Sequence, residues 1–130
     1  MKTERIDWNN IYKIRIANPS KSFEKHEIIK TLIVMKLLEK YKKVRHWIRI
    51  YTEMPLTEKI ICDIYFENIK SKEIYCYEIQ REVSDSWKEQ KKREYSEYNP
   101  SLKFDWFIIN VSELSDNIRD LSKQLDEILI

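Results

Sequence analysis

The sequence predicts an α/β fold in which a mixed sheet of about four strands is flanked by helices. The chain has 130 residues, which is the usual size of one domain, so residues 1–130 are expected to form a single unit. Hydrophobic residues make up 42% of the sequence, enough for a globular core. The spacing of these residues changes between a period of about 3.6 and a period of 2, as expected where helices and strands alternate.

The first half of the chain predicts one helix and three strands. Residues 23–41 carry apolar side chains around most of a helix, which is therefore expected to be largely buried, with Ser20 or Ser22 as its cap. The period then becomes 2, and strands are expected over residues 44–51, 60–66 and 73–80. The last two are close enough to pair as a hairpin. Residues 11–16 also alternate like a short strand.

The second half predicts a helix, a strand and a helix, which completes the order αβββαβα. Ser84 or Asp85 caps a helix that runs to about residue 98, where Asn-Pro ends it. Residues 103–111 are rich in aromatic and β-branched side chains and predict a fourth strand. An amphipathic helix is expected over residues 112–130.

The sequence contains no glycine, and this excludes several classes of site. Walker A loops, Rossmann fingerprints, kinase loops and EF-hands all need glycine for their backbone geometry. Turns that need a positive φ must use other residues, and Asn68, Asn99 and Asn110 are the expected positions.

The cysteines and histidines do not form a zinc motif. Cys62 and Cys76 lie fourteen residues apart in apolar runs, which predicts buried free thiols in a reducing, cytoplasmic compartment. His26 and His46 do not form an H-E-x-x-H motif. A metal would therefore need oxygen ligands, which favours magnesium or manganese. No signal peptide or membrane-spanning segment is expected.

Charge is unevenly distributed, although the net charge is only +2. Residues 1–49 contain thirteen Lys and Arg against five Asp and Glu, a balance of +8, and residues 50–130 have a balance of −6. A basic half can attract a polyanion such as DNA. Its most basic stretch includes Lys42, Lys43 and Arg45, which would contact phosphates or be an ordinary solvated surface.

Two carboxylates lie inside apolar strands, where an unpaired charge is costly. Asp63 lies in the second predicted strand and Glu78 in the third, at matching positions of the hairpin. Because side chains alternate along a strand, Glu78 and Gln80 are expected on the same face. The pair is then close enough to share a divalent cation. The alternative is that both are edge-strand charges that face water.

These residues resemble the PD-(D/E)XK nuclease superfamily, whose fold is that of the restriction endonucleases. The resemblance rests on Asp63, on Glu78-Ile79-Gln80 fifteen residues later and on the element order, and it covers about residues 22–111. It implies that Asp63, Glu78 and the main chain of Ile79 hold magnesium or manganese, with Glu27 as a third acid. Gln80 stands where the superfamily has lysine.

The resemblance implies a metal-dependent DNA endonuclease that hydrolyses phosphodiester bonds. A minimal core with no room for a separate recognition domain favours structure-selective or weakly specific cleavage. The missing positive charge is expected from the helix that follows, with Lys91 favoured over Lys88, and Lys88 would also contact nucleic acid. Junction resolvases of the superfamily further imply a homodimer. Because Gln80 cannot carry a charge, an alternative is a catalytically impaired nuclease fold that serves as a nucleic-acid-binding or protein-interaction module. A third possibility is an unrelated α/β protein without a site.

Overall fold

The computed structural model describes Tyr12–Lys13 and residues 24–129 of the chain. Its strands are β1 (Tyr12–Lys13), β2 (Ile48–Pro55), β3 (Ile61–Asn68), β4 (Glu73–Gln80) and β5 (Lys103–Asn110). Its α-helices are α1 (Glu24–Lys40), α2 (Asp85–Ser96) and α3 (Ile118–Ile128). Two short 3₁₀ helices cover Lys42–Trp47 and Val111–Glu113. The predicted caps Ser20 and Ser22 lie outside the described residues.

The strands form one mixed sheet in the order β1-β2-β3-β4-β5. Strands β2, β3 and β4 are antiparallel neighbours, whereas β4 with β5, and β1 with β2, are parallel. The four long strands confirm the predicted mixed sheet, and the predicted hairpin is the β3–β4 pair. Tyr12–Lys13 is the described part of the short strand expected over residues 11–16.

Helices cover both faces of the sheet because both faces of its strands are apolar. On β4, Tyr77 and Ile79 pack with α1 and α3, whereas Ile74 and Cys76 pack on the other face with Tyr95 of α2. This is the alternation predicted from the sequence. Cys62 and Cys76 are buried free thiols, as predicted.

Element boundaries differ from the prediction most clearly at the starts of two elements. The strand expected over residues 44–51 begins only at Ile48, because Lys42–Trp47 forms a 3₁₀ helix. The last helix begins at Ile118 rather than near residue 112. Asn110 caps the short 3₁₀ helix Val111–Glu113 by accepting from the N–H of Ser112, and the chain then needs a second cap before α3.

The positions of positive φ were also predicted wrongly. Among the described residues, Glu53 has φ 52° and Lys72 has φ 61°. Asn68 instead shapes its turn with its side chain, whose Oδ1 accepts from the N–H groups of Lys70 and Ser71. None of the helices in the described part of the chain is long and apolar enough to cross a membrane.

Candidate functional site

A cavity of about 460 Å³ lies where β4 ends, between the first turns of α1 and of α2. The side chains that line it include Asp63, Glu78 and Gln80 from the sheet, Lys91 from α2, His26 from α1, and Arg81. The structure therefore brings together the four residues that the sequence predicts as catalytic. We call this cavity the carboxylate pocket.

Asp63 reaches the pocket because the ladder between β3 and β4 ends beside it. The last pair of that ladder is Ile64 with Tyr77, and Asp63 follows toward the end of β4. There its Oδ2 accepts from the N–H of Ile79 at 2.7 Å, in place of a backbone carbonyl. The carboxylate is thus fixed in the gap between the two strands.

Glu78 is the most strongly perturbed acid of the pocket. Only 4% of it is exposed, and its Oε1 accepts from the Tyr95 hydroxyl at 2.6 Å. The Lys91 Nζ lies 3.8 Å from the same oxygen. Burial and the nearby charge of Asp63 nevertheless raise the pKa of Glu78 to about 7. The two carboxylates are therefore close enough that the negative charge of Asp63 disfavours ionisation of Glu78.

His26 is a pocket residue that the sequence pattern did not predict. Its Nε2 lies 3.7 Å from Asp63 Oδ2, and its Nδ1 lies 3.7 Å from Glu27 Oε1. Interaction with Asp63, first through hydrogen bonding and then through charge, raises the pKa of His26 against the opposing effect of burial. A zinc motif is a local pattern of histidines in the sequence. It gives no information on whether an acid from another element, such as Asp63, lies beside His26.

Glu27, predicted as a third metal ligand, has a different partner. Its Oε2 lies 2.6 Å from the Nζ of Lys30, and it does not line the carboxylate pocket. Lys30 is only 1% exposed and also lies 3.5 Å from Glu53 Oε1. A buried ammonium needs such partners, because an isolated charge in the core is costly. The geometry thus assigns Glu27 to an ion-pair network behind the pocket.

Helix α2 brings Trp87 and Lys91 to the pocket along one face. Ser84 caps this helix, as predicted, by accepting from the N–H of Trp87 at 3.1 Å. Lys91 follows one turn later, with its Nζ 5.7 Å from the centre of the Trp87 ring and its side chain 18% exposed. Lys88 is exposed on the same helix beside Trp87.

The basic residues Lys42, Lys43 and Arg45 do not reach the carboxylate pocket. They belong to the 3₁₀ helix that leads into β2, and Ile48, where β2 begins, pairs with Asn68. Asp63 lies five residues earlier on β3. At ~3.3 Å per residue, the two ends of the sheet are about 17 Å apart. A nucleic acid would have to span this distance to contact both.

The described residues contain no group of three or more His, Cys, Asp or Glu side chains placed to hold a metal ion. The oxygen donors of the pocket include the two carboxylates of Asp63 and Glu78, the side-chain amide oxygen of Gln80 and main-chain carbonyls. That set is small for calcium, which takes six to eight oxygen ligands. It is of the kind that magnesium uses, since magnesium is bound by one or two carboxylates and completes its shell with water and phosphate.

No family model, curated protein or solved structure matches the chain. The resemblance to PD-(D/E)XK nucleases therefore depends on the residues and geometry of this chain alone.

Proposed function

We propose that the chain is a metal-dependent nuclease that hydrolyses phosphodiester bonds in DNA. The observation that carries this proposal is the meeting of Asp63 and Glu78, from neighbouring strands, in one pocket with Gln80 and Lys91. A nuclease of the PD-(D/E)XK kind needs two acids and a polar or cationic group at such a strand end. The pocket also has Arg81 and His26 at its walls, which suit a phosphate group.

The two acids fit a magnesium ion. Each carboxylate has one oxygen engaged by a donor of the chain, Ile79 N–H for Asp63 and the Tyr95 hydroxyl for Glu78, and a second oxygen besides. In an antiparallel ladder the N–H and C=O of one residue face the same neighbouring strand, so the carbonyl of Ile79 suits the third ligand position. Burial, and then the negative charge of Asp63, raise the pKa of Glu78, and a divalent cation bound between the two acids would offset both effects.

The chain's own residues would divide the remaining work. Lewis-acid polarisation of the scissile phosphate is the chemistry that a bound magnesium ion supplies. Gln80 offers a neutral amide that can hydrogen-bond and orient an attacking water. Lys91, held beside Glu78, would stabilise the negative charge that develops on the phosphate. His26 would hold Asp63 from the side of α1.

Calorimetric titration with manganese tests the metal site. We expect the wild type to bind manganese and Asp63→Asn and Glu78→Gln to lose this binding. Both substitutions keep a hydrogen-bond acceptor and remove one negative charge. Glu82→Gln removes the same charge from an exposed position next to the site and serves as the control. Equal binding by the wild type and by Asp63→Asn would overturn the metal site.

Cleavage assays test the activity. We expect magnesium- or manganese-dependent cleavage of nicked, flapped or four-way-junction DNA by the wild type and none by Asp63→Asn. Failure of the wild type to exceed that variant on every substrate would reject the nuclease.

The second candidate is a binding module that keeps the fold without catalysis. It is favoured by the way the pocket's acids are already satisfied: Glu78 by Tyr95 and Lys91, and Asp63 by Ile79 and His26. Gln80 also cannot supply the positive charge of the superfamily's lysine. Nucleic-acid binding that persists in EDTA, without manganese binding in calorimetry, would favour the module over the nuclease.

A further inference from the structure

A second cavity, of about 310 Å³, lies at the opposite end of the sheet from the carboxylate pocket. It opens on the α1 and α3 face, above the start of β4 and β5, where Glu73 pairs with Lys103 across the two strands. Five aromatic side chains line it: Tyr41, Phe66, Tyr75, Tyr77 and Phe107. We call it the aromatic cleft.

The rings of the aromatic cleft form a connected and partly open surface. The Tyr77 and Phe107 rings are stacked with centroids 5.4 Å apart, and the Phe66 and Tyr75 rings are nearly parallel at 6.3 Å. Phe107 is 37% exposed and is the most open of the five rings. The Tyr75 hydroxyl donates to Glu73 at 2.7 Å, and this fixes one ring of the surface. Phe66 and Tyr77 are buried, so the rings on which a planar group can stack are the partly exposed Tyr41, Tyr75 and Phe107.

Basic residues line and flank the aromatic cleft. Lys40 and Lys103 line it, and the 3₁₀ helix with Lys42, Lys43 and Arg45 begins one residue after Tyr41. Two acids also line the cleft, but both have partners within the chain. Asp105 accepts from the N–H of Trp106, and Glu73 accepts from Tyr75 and lies 3.9 Å from Lys103. The lining itself has two cations and two acids, and Lys42 pairs with Glu39 at 2.9 Å, so the positive charge available to a phosphate comes from Lys40 in the lining and from Lys43 and Arg45 beside it.

We propose that the aromatic cleft binds unpaired nucleotides of a single-stranded nucleic acid segment. Aromatic faces that stack bases, bordered by cations that follow the phosphates, are the two components of single-strand binding sites. A duplex keeps its base faces inside the stack, so only an unpaired strand can use these rings. The proposal rests on the proposed function, because it takes nucleic acid as the substrate.

This binding would define which substrates the carboxylate pocket receives. The cleft and the pocket lie toward the two ends of β4, about 17 Å apart along the strand at ~3.3 Å per residue, and the cleft opens on the α1 and α3 face whereas Glu78 of the pocket faces Tyr95 of α2. This span corresponds to about five nucleotide steps of B-form DNA. A flap or junction whose unpaired strand passes around the sheet from one face to the other would contact both sites, whereas a continuous duplex would contact only the pocket.

Fluorescence anisotropy in EDTA tests the cleft without involving the metal site. The probes are labelled oligothymidylate and a duplex of the same length. We expect the wild type to prefer the single strand, Phe107→Leu to weaken its binding by about tenfold, and Phe107→Tyr to keep the wild-type affinity. Lys103→Gln should weaken binding, whereas Lys123→Gln, which removes the same charge from exposed α3 surface outside the cleft, should not.

Two outcomes would overturn the proposal. One is equal affinity of Phe107→Leu and the wild type for the single strand. The other is a wild-type dimer in sedimentation that Phe107→Leu dissociates, since a second copy would then cover the cleft. Failure of the cleft with intact metal-dependent cleavage would leave the nuclease standing. Single-strand binding by a wild type that does not bind manganese would support the cleft and reject the metal site of the nuclease.

Discussion

Glu78 is the residue at which burial and charge oppose each other most directly. Its carboxyl is almost fully buried and faces Asp63, a like charge, while only Lys91 and the Tyr95 hydroxyl favour its ionised form. The net effect is a pKa of about 7 instead of 4.5. Folding therefore favours the protonated acid, and ionisation of Glu78 works against the folded state.

The stability of the metal-free protein should accordingly depend on pH through Glu78. The contribution of this carboxyl is most favourable below pH 4.5 and falls as the pH rises through 7, by about 3 kcal/mol in total. We expect Glu78→Gln to remove that decline, so that the variant gains stability relative to the wild type at pH 8. Urea unfolding between pH 4.5 and 8 in EDTA measures this. Glu82→Gln should keep the wild-type profile, and a Glu78→Gln profile parallel to the wild type would contradict the expectation.

Gln80 stands where the superfamily has a lysine, and either this position or Lys91 could take over the role of that lysine. If Lys91 supplies it, Lys91→Ala should lower the cleavage rate by about 10²–10³-fold, as for the loss of one electrostatic stabiliser, and Gln80→Lys should add little. Lys92→Ala is the matched control, since Lys92 is exposed on the same helix and pairs with Glu89. Single-turnover cleavage measures the rates. A gain from Gln80→Lys with no loss from Lys91→Ala would assign the role to position 80.

At the residue scale, the convergence of Asp63 and Glu78 could be predicted because it follows from alternation within one hairpin. The roles of His26 and Glu27 could not. They depend on how α1 lies across the sheet, and a local pattern does not contain that angle. Lys30 illustrates the reason: an apolar helix pattern gives no sign that this ammonium is buried and pairs with Glu27.

Elements bounded by strong local signals were predicted best. The bounds of β4 are those expected, because turns delimit an alternating run on both sides. The start of β2 was predicted wrongly, since the 3₁₀ helix Lys42–Trp47 contains Val44, which is in phase with Ile48 and Ile50 in a period of two. The start of α3 was missed although Asn117 is a good cap, because Ser112 offered an earlier one.

The cap of α3 should contribute measurably to stability. Asn117 Oδ1 accepts from the N–H groups of Arg119 and Asp120, which otherwise have no partner within the helix. We expect Asn117→Ala to lower the free energy of unfolding by about 0.5–2 kcal/mol in urea titrations. Asn99→Ala, in the exposed connection after α2, should change it less. Equal losses in the two variants would argue against the cap.

On the scale of the whole molecule, basic charge is found at both ends of the sheet. Lys42, Lys43 and Arg45 lie at the aromatic-cleft end, and Arg81, Lys88 and Lys91 lie at the carboxylate-pocket end. A bound nucleic acid could thus contact the protein along the length of the strands, with the acids at one end only.

Salt dependence tests the contribution of the first cluster. Each phosphate that a cation neutralises gives a log–log slope of affinity against salt of about −0.9 on duplex DNA. Replacing Lys42, Lys43 and Arg45 by Ala should flatten the slope by about 0.9 for each phosphate that is no longer neutralised. The same replacement of Lys59, Arg119 and Lys123, exposed elsewhere, removes equal charge and should leave the slope nearer to the wild type. An unchanged slope in the first variant would place the binding surface elsewhere.

The order of the strands in the sheet also bears on how quickly the chain folds. Strands β2, β3 and β4 follow one another in sequence and in space, joined by short turns, so their contacts close small loops. Strand β5 can pair with β4 only after the connection that contains α2 has crossed the sheet, because parallel neighbouring strands need a long connection. Sheets built from local pairings fold faster than those built from distant ones. The β2–β3–β4 meander is thus the expected folding nucleus, and substitutions at Ile64 should slow folding, whereas those at Ile109 on β5 should mainly speed unfolding.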